Sequence, residues 1–289
     1  MDAVPVEVEY WPHSAHRGLP FEVLHRSELV GRSAGLSRRQ RVGFHQLIVC
    51  TEGAGTHWVD FEPHSISTGA VLRIHPGQVQ RFVPEPAFEA LMVVWPFESH
   101  PATVGGSLWY PGGTIPTRWH LDAHTLARVV GWIDDLRDEQ DRFDGSRQRA
   151  RLMGVLLHAF LIRLAIEIPD SEPDVSHLPP AYLGFRELLE KRLAERPSVT
   201  EIAHELGYST RTVDRACQEV TGRTAKRLLD ERVALEIRRL LTHTARPVAH
   251  IGADFGFTDP SNFSKFVKRH LGGSPGDIRR LPDERTEKR

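Results

Sequence analysis

The sequence predicts a multidomain α+β chain: a β-sandwich or small barrel, then a helical hairpin, then an all-α C-terminal domain. Three observations carry this. Residues 1 to 120 hold short apolar runs, among them "FHQLIVC", "THWVDF", "AVLRIH" and "ALMVVW". Gly, Pro and acidic turns part them roughly every 8 to 12 residues, the rhythm of an antiparallel β-domain. From about Asp122 the apolar period becomes helical. Residues 169 to 180, "PDSEPDVSHLPP", are rich in Pro, Ser and Asp and read as an interdomain linker. The expected layout is therefore a β-domain over 1–120, a hairpin over 121–168, a linker over 169–180, a helical domain over 181–281 and a tail over 282–289.

At 289 residues the chain is long enough for two domains. Its 40% hydrophobic and 26% charged content is that of a globular protein. No run of about 18 apolar residues exists, which excludes an apolar membrane helix. The start, "MDAVPVEVEYWPHS", lacks the apolar stretch of a secretory leader. Cys50 and Cys217 are far apart and outside any metal-binding motif, which points to a reducing cytoplasm. The net charge is −1, but residues 181 to 289 hold 21 Lys and Arg against 16 Asp and Glu. A basic C-terminal part suggests a polyanion partner for that part alone.

In the hairpin, Leu126, Val129, Val130, Ile133 and Leu136 share one stripe of the first helix. The second, "RQRARLMGVLLHAFLIRLAIEI", is apolar over most of its circumference. Leu152, Leu156, Phe160 and Leu164 recur at four-residue intervals, with Val155, Ala159 and Ile162 widening the stripe. Uncovered apolar area becomes a subunit contact. The expectation is a homodimer through residues 147 to 166, the alternative being burial against the chain's own β-domain.

The stretch "ELGYSTRTVDRACQEVTG" breaks a helix and restarts it at once. Thr200 is read as the N-cap of a short helix carrying Ile202, Ala203 and Leu206, with Gly207 as its end. Ser209 caps the next helix, whose Val213, Ala216 and Val220 face inward. Thr210, Arg211, Thr212, Asp214 and Arg215 face outward, where short polar side chains and arginines can reach base edges and phosphates. "DFGFTDPSNFSKFVKRHLGG" repeats the plan. Val248, Ile251 and Phe255 pack its first helix, Gly256 turns, Thr258 caps, and Pro260 sits in the new first turn. Phe263 and Val267 face the core. Ser261, Asn262, Lys265, Lys268 and Arg269 face out. Between the two, Leu229, Val233, Ile237, Leu240 and Leu241 mark a helix of about eighteen residues, roughly 27 Å long. That is near one turn of DNA, about 34 Å.

Residues 182 to 280 resemble the DNA-binding domain of the AraC/XylS family of bacterial transcription regulators. The residues that carry the resemblance are "TEIAHELGYSTRTVDR", "ERVALEIRRLL", "HIGADFGFTDPSNFSKFVKRHLG" and "GSPGDIRR". Gly252 stands where the family usually has Ala, and Val267 where an aromatic is common. The resemblance implies double-stranded DNA and RNA polymerase as partners. It also implies Arg211, Asp214, Arg215, Pro260, Ser261 and Lys265 as the base-facing positions.

"GFHQLIVCTEGAGTHWVDFEPHSISTGAVLRIHPGQVQRF" resembles the cupin-like sensing domain found in many such regulators. That likeness implies a small-molecule effector in a cupin-like barrel. Phe44, Trp58 and Phe82 are wall candidates, and Gln46, His75 and Gln80 stand at positions of the cupin motifs. Cupin enzymes hold a metal with histidines and a glutamate. Here "RRQR" and Gln46 occupy the first motif's ligand positions and Gln80 the histidine position of the second. No metal, no cofactor and no enzyme activity are expected. His45, His57, His64 and His75 are read as scattered strand or surface histidines. Three readings follow: an effector-responsive regulator, a regulator whose β-domain only oligomerises, and a cupin enzyme with an accessory DNA module.

Overall fold

The computed structural model describes residues 6–8, 19–26, 28, 39–84, 88–96, 116–168 and 178–280. The expected tail and residues 169–177 of the expected linker lie outside them. The chain divides into two compact units, Met1–Pro173 and Asp174–Arg289.

The first unit holds ten strands: β1 (Val6–Val8), β2 (Glu22–His25), β3 (Gln40–Val42), β4 (Phe44–Glu52), β5 (Ala54–Val59), β6 (Glu62–Ser67), β7 (Ala70–Ile74), β8 (Val79–Pro84), β9 (Glu89–Pro96) and β10 (Arg118–His120). They form two five-stranded sheets, ordered β1-β3-β8-β5-β6 and β10-β7-β4-β9-β2. Between the sheets lie Ile48, Cys50, Leu72, Ile74, Met92 and Val94 from one, and Val42, Val59, Ile66 and Phe82 from the other. Successive side chains alternate faces, so Leu47, Val49, Val71, Val93 and Trp95 point to the opposite face of the second sheet, where they too are buried. Burial on both faces is why "FHQLIVC" and "ALMVVW" read as continuous apolar runs rather than alternating ones.

Helices α1 (Ala123–Asp141) and α2 (Arg147–Ile166) follow. Asp122 caps α1, its carboxylate accepting from Thr125 N–H at 2.7 Å. Ser146 caps α2. Near its end α1 buries Gln140, whose Oε1 accepts from Val23 N–H at 2.6 Å and whose Nε2 donates to Val23 O at 3.3 Å. Strand β2 is the edge of its sheet, and this amide occupies part of the edge in place of another strand.

The apolar stripe of α2 is not the expected one. Phe160 and Leu164 are core at 3% and 0% exposure, alongside Met153, Leu157 and Leu161. Leu156 is half-buried. The exposed apolar residues are Leu152, Val155, Ile162 and Ile166, with exposed Ala159 among them. A four-residue ladder slants around a helix because four residues overshoot the 3.6-residue turn. Its upper end therefore enters the core while its lower end leaves it.

The second unit is helical: α3 (Pro180–Lys191), a 3-10 turn (Leu193–Glu195), α4 (Val199–Glu205), α5 (Thr210–Thr221), α6 (Ala225–His243), α7 (Val248–Asp254), α8 (Pro260–Leu271) and α9 (Pro275–Arg280). Pro180, assigned to the linker from sequence, opens α3. The core gathers Phe185, Leu189, Ile202, Val213, Leu229, Val233, Ile237, Leu241, Ile251, Phe263 and Val267. Beside it runs a line of buried charge between α3 and α6. Arg232 Nε donates to both Glu190 oxygens at 3.1 Å. Arg186 stands 4.0 Å from the same carboxylate. Arg232 also reaches Glu236 at 3.4 Å, and Arg239 donates to Glu236 at 2.9 Å.

Candidate nucleic-acid interface

Two helix pairs, α4–α5 and α7–α8, pack on α6 with matching turns. Gly207 and Gly256 both adopt left-handed backbone, at φ +72° and +70°. Gly207 N–H donates to His204 O and Tyr208 N–H to Ala203 O; Gly256 N–H donates to Ala253 O and Phe257 N–H to Gly252 O, all at 2.9–3.0 Å. A side chain at these glycines would carry the strain of the left-handed region. Four residues before each turn glycine stands a small residue, Ala203 or Gly252. A Cβ added at Gly252 would lie 3.2 Å from Phe263 Cγ. The absent methyl lets the aromatic ring of α8 rest directly on α7.

Two of the three expected caps, one in each motif, fall on another residue. Helix α4 is capped by Ser198 rather than Thr200, in a capping box whose Glu201 carboxylate returns to Ser198 N–H at 2.7 Å. Helix α8 is capped by Asp259 rather than Thr258; its carboxylate accepts from Ser261 N–H at 2.8 Å. Thr258 is exposed in the turn, and Pro260 is the first residue of the helix. Ser209 caps α5 as expected from sequence, accepting from Thr212 N–H at 3.1 Å, with the two hydroxyls 2.8 Å apart.

Asp214 leaves the outward set. Its carboxylate accepts from Ala225 N–H at 2.9 Å, so it serves the first residue of α6 rather than an incoming base. The same carboxylate, after burial, helps push the Cys217 thiol up to about 12.

Arg211, Arg215, Ser261, Asn262, Lys265, Lys268 and Arg269 are exposed on α5 and α8, and Thr210 is half-buried. Elsewhere on this unit surface cations are tied down. Arg192 pairs with Glu195 and Glu205, Arg223 and Arg227 with Glu231, Lys226 with Asp230, Arg246 with Asp254 and Arg280 with Asp277. Among the described residues of this unit, Arg211, Arg215, Lys265, Lys268 and Arg269 have no ion pair. Away from α5 and α8, Lys191 shares that condition, while Arg196 lies against aromatic rings and Arg279 donates to backbone carbonyls. Helix α6, of 19 residues, spans roughly 28 Å between the two pairs.

The sensing-site candidates divide. Phe44, Gln46, Gln80 and Phe82 face the space between the sheets. Trp58 alternates to the outer face, where it is half-exposed beneath Arg81 at 5.7 Å. His75 lies on the far face of the second sheet, its ring 5.4 Å from that of His45, which stacks on Trp95 at 5.2 Å. Inside runs a polar string not foreseen from sequence. His57 Nε2 donates to Gln80 Oε1 at 2.9 Å, Gln80 Nε2 to Gln46 Oε1 at 2.9 Å, and Gln46 Nε2 to Met92 Sδ at 3.2 Å. The two glutamines at cupin ligand positions thus bond one another. No group of three or more metal-ligating side chains occurs among the described residues.

Burial holds the His57 imidazole down at about 4, partly offset by its bond to Gln80, with His64 lowering it further. An unfolded histidine takes its proton near 6.5, so between about pH 6.5 and 4 the unfolded chain binds a proton that the fold refuses. Stability supplied by neutral His57 is whole above that window. It falls on acidification by up to about 1.4 kcal/mol per pH unit. Melting at pH 7 and pH 5 should show a smaller acid loss for His57→Gln than for wild type. An equal loss in both would place the titration elsewhere.

Comparison with known proteins agrees with this layout. Residues 30–156 match the family described as AraC-like ligand binding domain, and residues 187–281 match a helix-turn-helix domain. The chain is 26% identical over 247 residues to the HTH-type transcriptional activator RhaS of Escherichia fergusonii, covering 83% of this chain and 86% of that protein. It is 25% identical over 248 residues to RhaS of Klebsiella pneumoniae, with the same coverage. Among solved structures, an AraC-type regulator from Chromobacterium violaceum is 24% identical, covering 37% of this chain and 96% of that one, at a TM-score of 0.34. ToxT from Vibrio cholerae O395 is 11% identical, covering 89% and 96%, at a TM-score of 0.39. No helix among the described residues is long and apolar enough to cross a membrane. With an AraC-like ligand-binding domain followed by tandem helix-turn-helix pairs, and relatives that run through both, the chain belongs to the AraC/XylS family of DNA-binding transcriptional regulators.

Proposed function

We propose that this regulator reads a bipartite DNA site with α5 and α8 in successive major grooves. In this reading it raises transcription through RNA polymerase in the cytoplasm, in response to a small molecule held between its sheets. The observation that carries the DNA reading is the placement of unpaired cations: Arg211 and Arg215 on α5, and Lys265, Lys268 and Arg269 on α8. Ser209, Thr210, Thr212, Thr258, Pro260, Ser261 and Asn262 border them. The curated relatives are named as activators, which supports activation. Selection from a random DNA pool by the purified protein should enrich a site with two subsites about one turn apart. Enrichment of a single subsite, or of none, would defeat the bipartite reading.

Phe44, Gln46, Gln80 and Phe82, joined by His57 and Met92, are the effector candidates. Amide and imidazole groups set among apolar walls suit a small molecule that exchanges hydrogen bonds with them. An effector at 100 times its Kd should stabilise the protein by about 2.7 kcal/mol in a thermal-shift screen. The chain is proposed to be no enzyme and to need no metal or other cofactor, because Gln46 and Gln80 offer amides where a cupin metal takes imidazole and carboxylate. Near-equimolar zinc, iron or manganese by elemental analysis would overturn that.

A homodimer through α2 completes the proposal, on the exposed part of the expected stripe: buried Phe160 and Leu164 leave it and Ile166 joins it. Leu152, Val155, Ala159, Ile162 and Ile166 follow one another by three and four residues, the spacing of a two-helix seam. Val155 and Ile166 are 66% and 75% exposed. A seam of this kind is self-complementary, so a second copy fits it. Sedimentation at micromolar concentration should give about twice 32.7 kDa, and Val155→Arg with Ile166→Glu a folded monomer. Phe160→Arg should instead unfold the unit. A wild-type monomer would overturn the dimer.

A further inference from the structure

The orientation of a reader is set by the helices it packs on (α3 and α6 for α5, α6 and α9 for α8) and by whatever ties it to the other reader. Arg196 supplies a tie of the second kind. It lies between the 3-10 turn and the Ser198 cap of α4, in left-handed backbone at φ 50° and ψ 57°. Asp60 is the other non-glycine residue with positive φ among the described residues, and such backbone persists where its surroundings hold it. What holds Arg196 belongs to the other helix pair. Its guanidinium centres 3.9 Å from the Phe257 ring centroid and 5.0 Å from that of Phe266. Phe257 follows the turn glycine of α7–α8, and Phe266 lies on the buried side of α8. These rings pack with Phe263 and His270. Burial makes the Arg196 charge harder to hold, with Asp230 opposing that effect. A cation withdrawn from water in this way gains more from an aromatic face than an exposed one does.

We propose that Arg196 is a positioning residue that sets the angle between the two readers by clamping the entry of α4–α5 onto the turn of α7–α8. Helix α6 fixes their distance along its axis. Rotation about that axis is controlled by contacts from side to side, and this stacked guanidinium is one. Two grooves can be read together only if both axial distance and rotation match the DNA helix. The inference rests on the bipartite reading and refines it.

The test uses the full chain and DNA sites enriched by the wild-type protein, with Arg196→Gly and Arg196→Lys. Glycine removes the clamp while accepting the left-handed backbone, and lysine keeps the charge without a planar group to stack. On the intact site Arg196→Gly should bind about tenfold more weakly, and Arg196→Lys should fall between it and wild type. On a site with the second subsite randomised, all three should bind alike. Lengthening the spacing between subsites by one base pair should penalise Arg196→Gly less than wild type. Equal loss on intact and randomised sites would make Arg196 a phosphate contact or a general stability residue, and no loss on the intact site would remove the clamp; either result overturns the proposal. Failure of the selection to yield two subsites defeats the bipartite reading itself, and is read before any variant is made.

Discussion

Glu190→Ala is expected to destabilise the C-terminal unit by about 3–5 kcal/mol, the penalty for stranding buried charge. The Glu190 carboxylate is 4% exposed and accepts both Arg232 contacts at 3.1 Å. Arg186, equally buried, stands 4.0 Å away. Without the carboxylate two guanidinium groups face each other inside the unit, with Glu236 left to serve both Arg232 and Arg239. Neither arginine can shed its charge at accessible pH. Amide hydrogen exchange along α3 and α6 of the intact chain measures the loss. A change below about 1 kcal/mol would mean that water reaches the site and screens it. Replacing Glu190 and Arg232 together by apolar residues should be less damaging than the single change, since desolvation then falls on fewer ions.

DNA affinity should fall steeply with salt. Five cations on α5 and α8 that each neutralise one phosphate give a slope of about −4.5 in log affinity against log salt. Between 50 and 200 mM salt that amounts to a loss of about 500-fold. Lys268→Ala should flatten the slope by about one and weaken all sequences alike. Arg211→Ala and Arg215→Ala should each lose about 1–3 kcal/mol on the selected site and less on random DNA, because a base contact discriminates and a phosphate contact does not. Affinity that holds at high salt would show that these cations do not meet the backbone. Uniform losses across sequences would make Arg211 and Arg215 phosphate contacts as well.

The two readers were legible because their signals are local. Apolar spacing, a turn glycine and a polar cap fall within twenty residues, and Gly207, Ser209 and Gly256 occupy the places the sequence suggests. Cap assignment failed where two short polar residues compete. Ser198 wins over Thr200 because Glu201 closes a capping box with it, and Asp259 over Thr258 because it immediately precedes the helix. Facing was harder. Trp58 was read as a pocket wall by residue type and His75 by its place in the cupin motif, but one step along a strand reverses the face, and each stands next to an inward-facing residue, His57 and Ile74. Asp214, Gln140 and the Arg186–Glu190–Arg232 line could not be read from sequence. Their partners lie 11, 117 and 42 residues away, and no local pattern names a partner at that range.

The Gln140 contact has a mechanical consequence. Strand β2 turns Leu24 toward the space between the sheets, while both the N–H and the C=O of its neighbour Val23 are bonded by the Gln140 amide of α1. One short strand is thus a shared wall: its inner side faces the space proposed for the effector, and its backbone is bonded to the hairpin proposed to carry the seam. A molecule that pressed Leu24 outward would drag the end of α1 with it or break two hydrogen bonds. Under that proposal the strand would serve as a lever as well as lining, with the helical hairpin as the arm it would move.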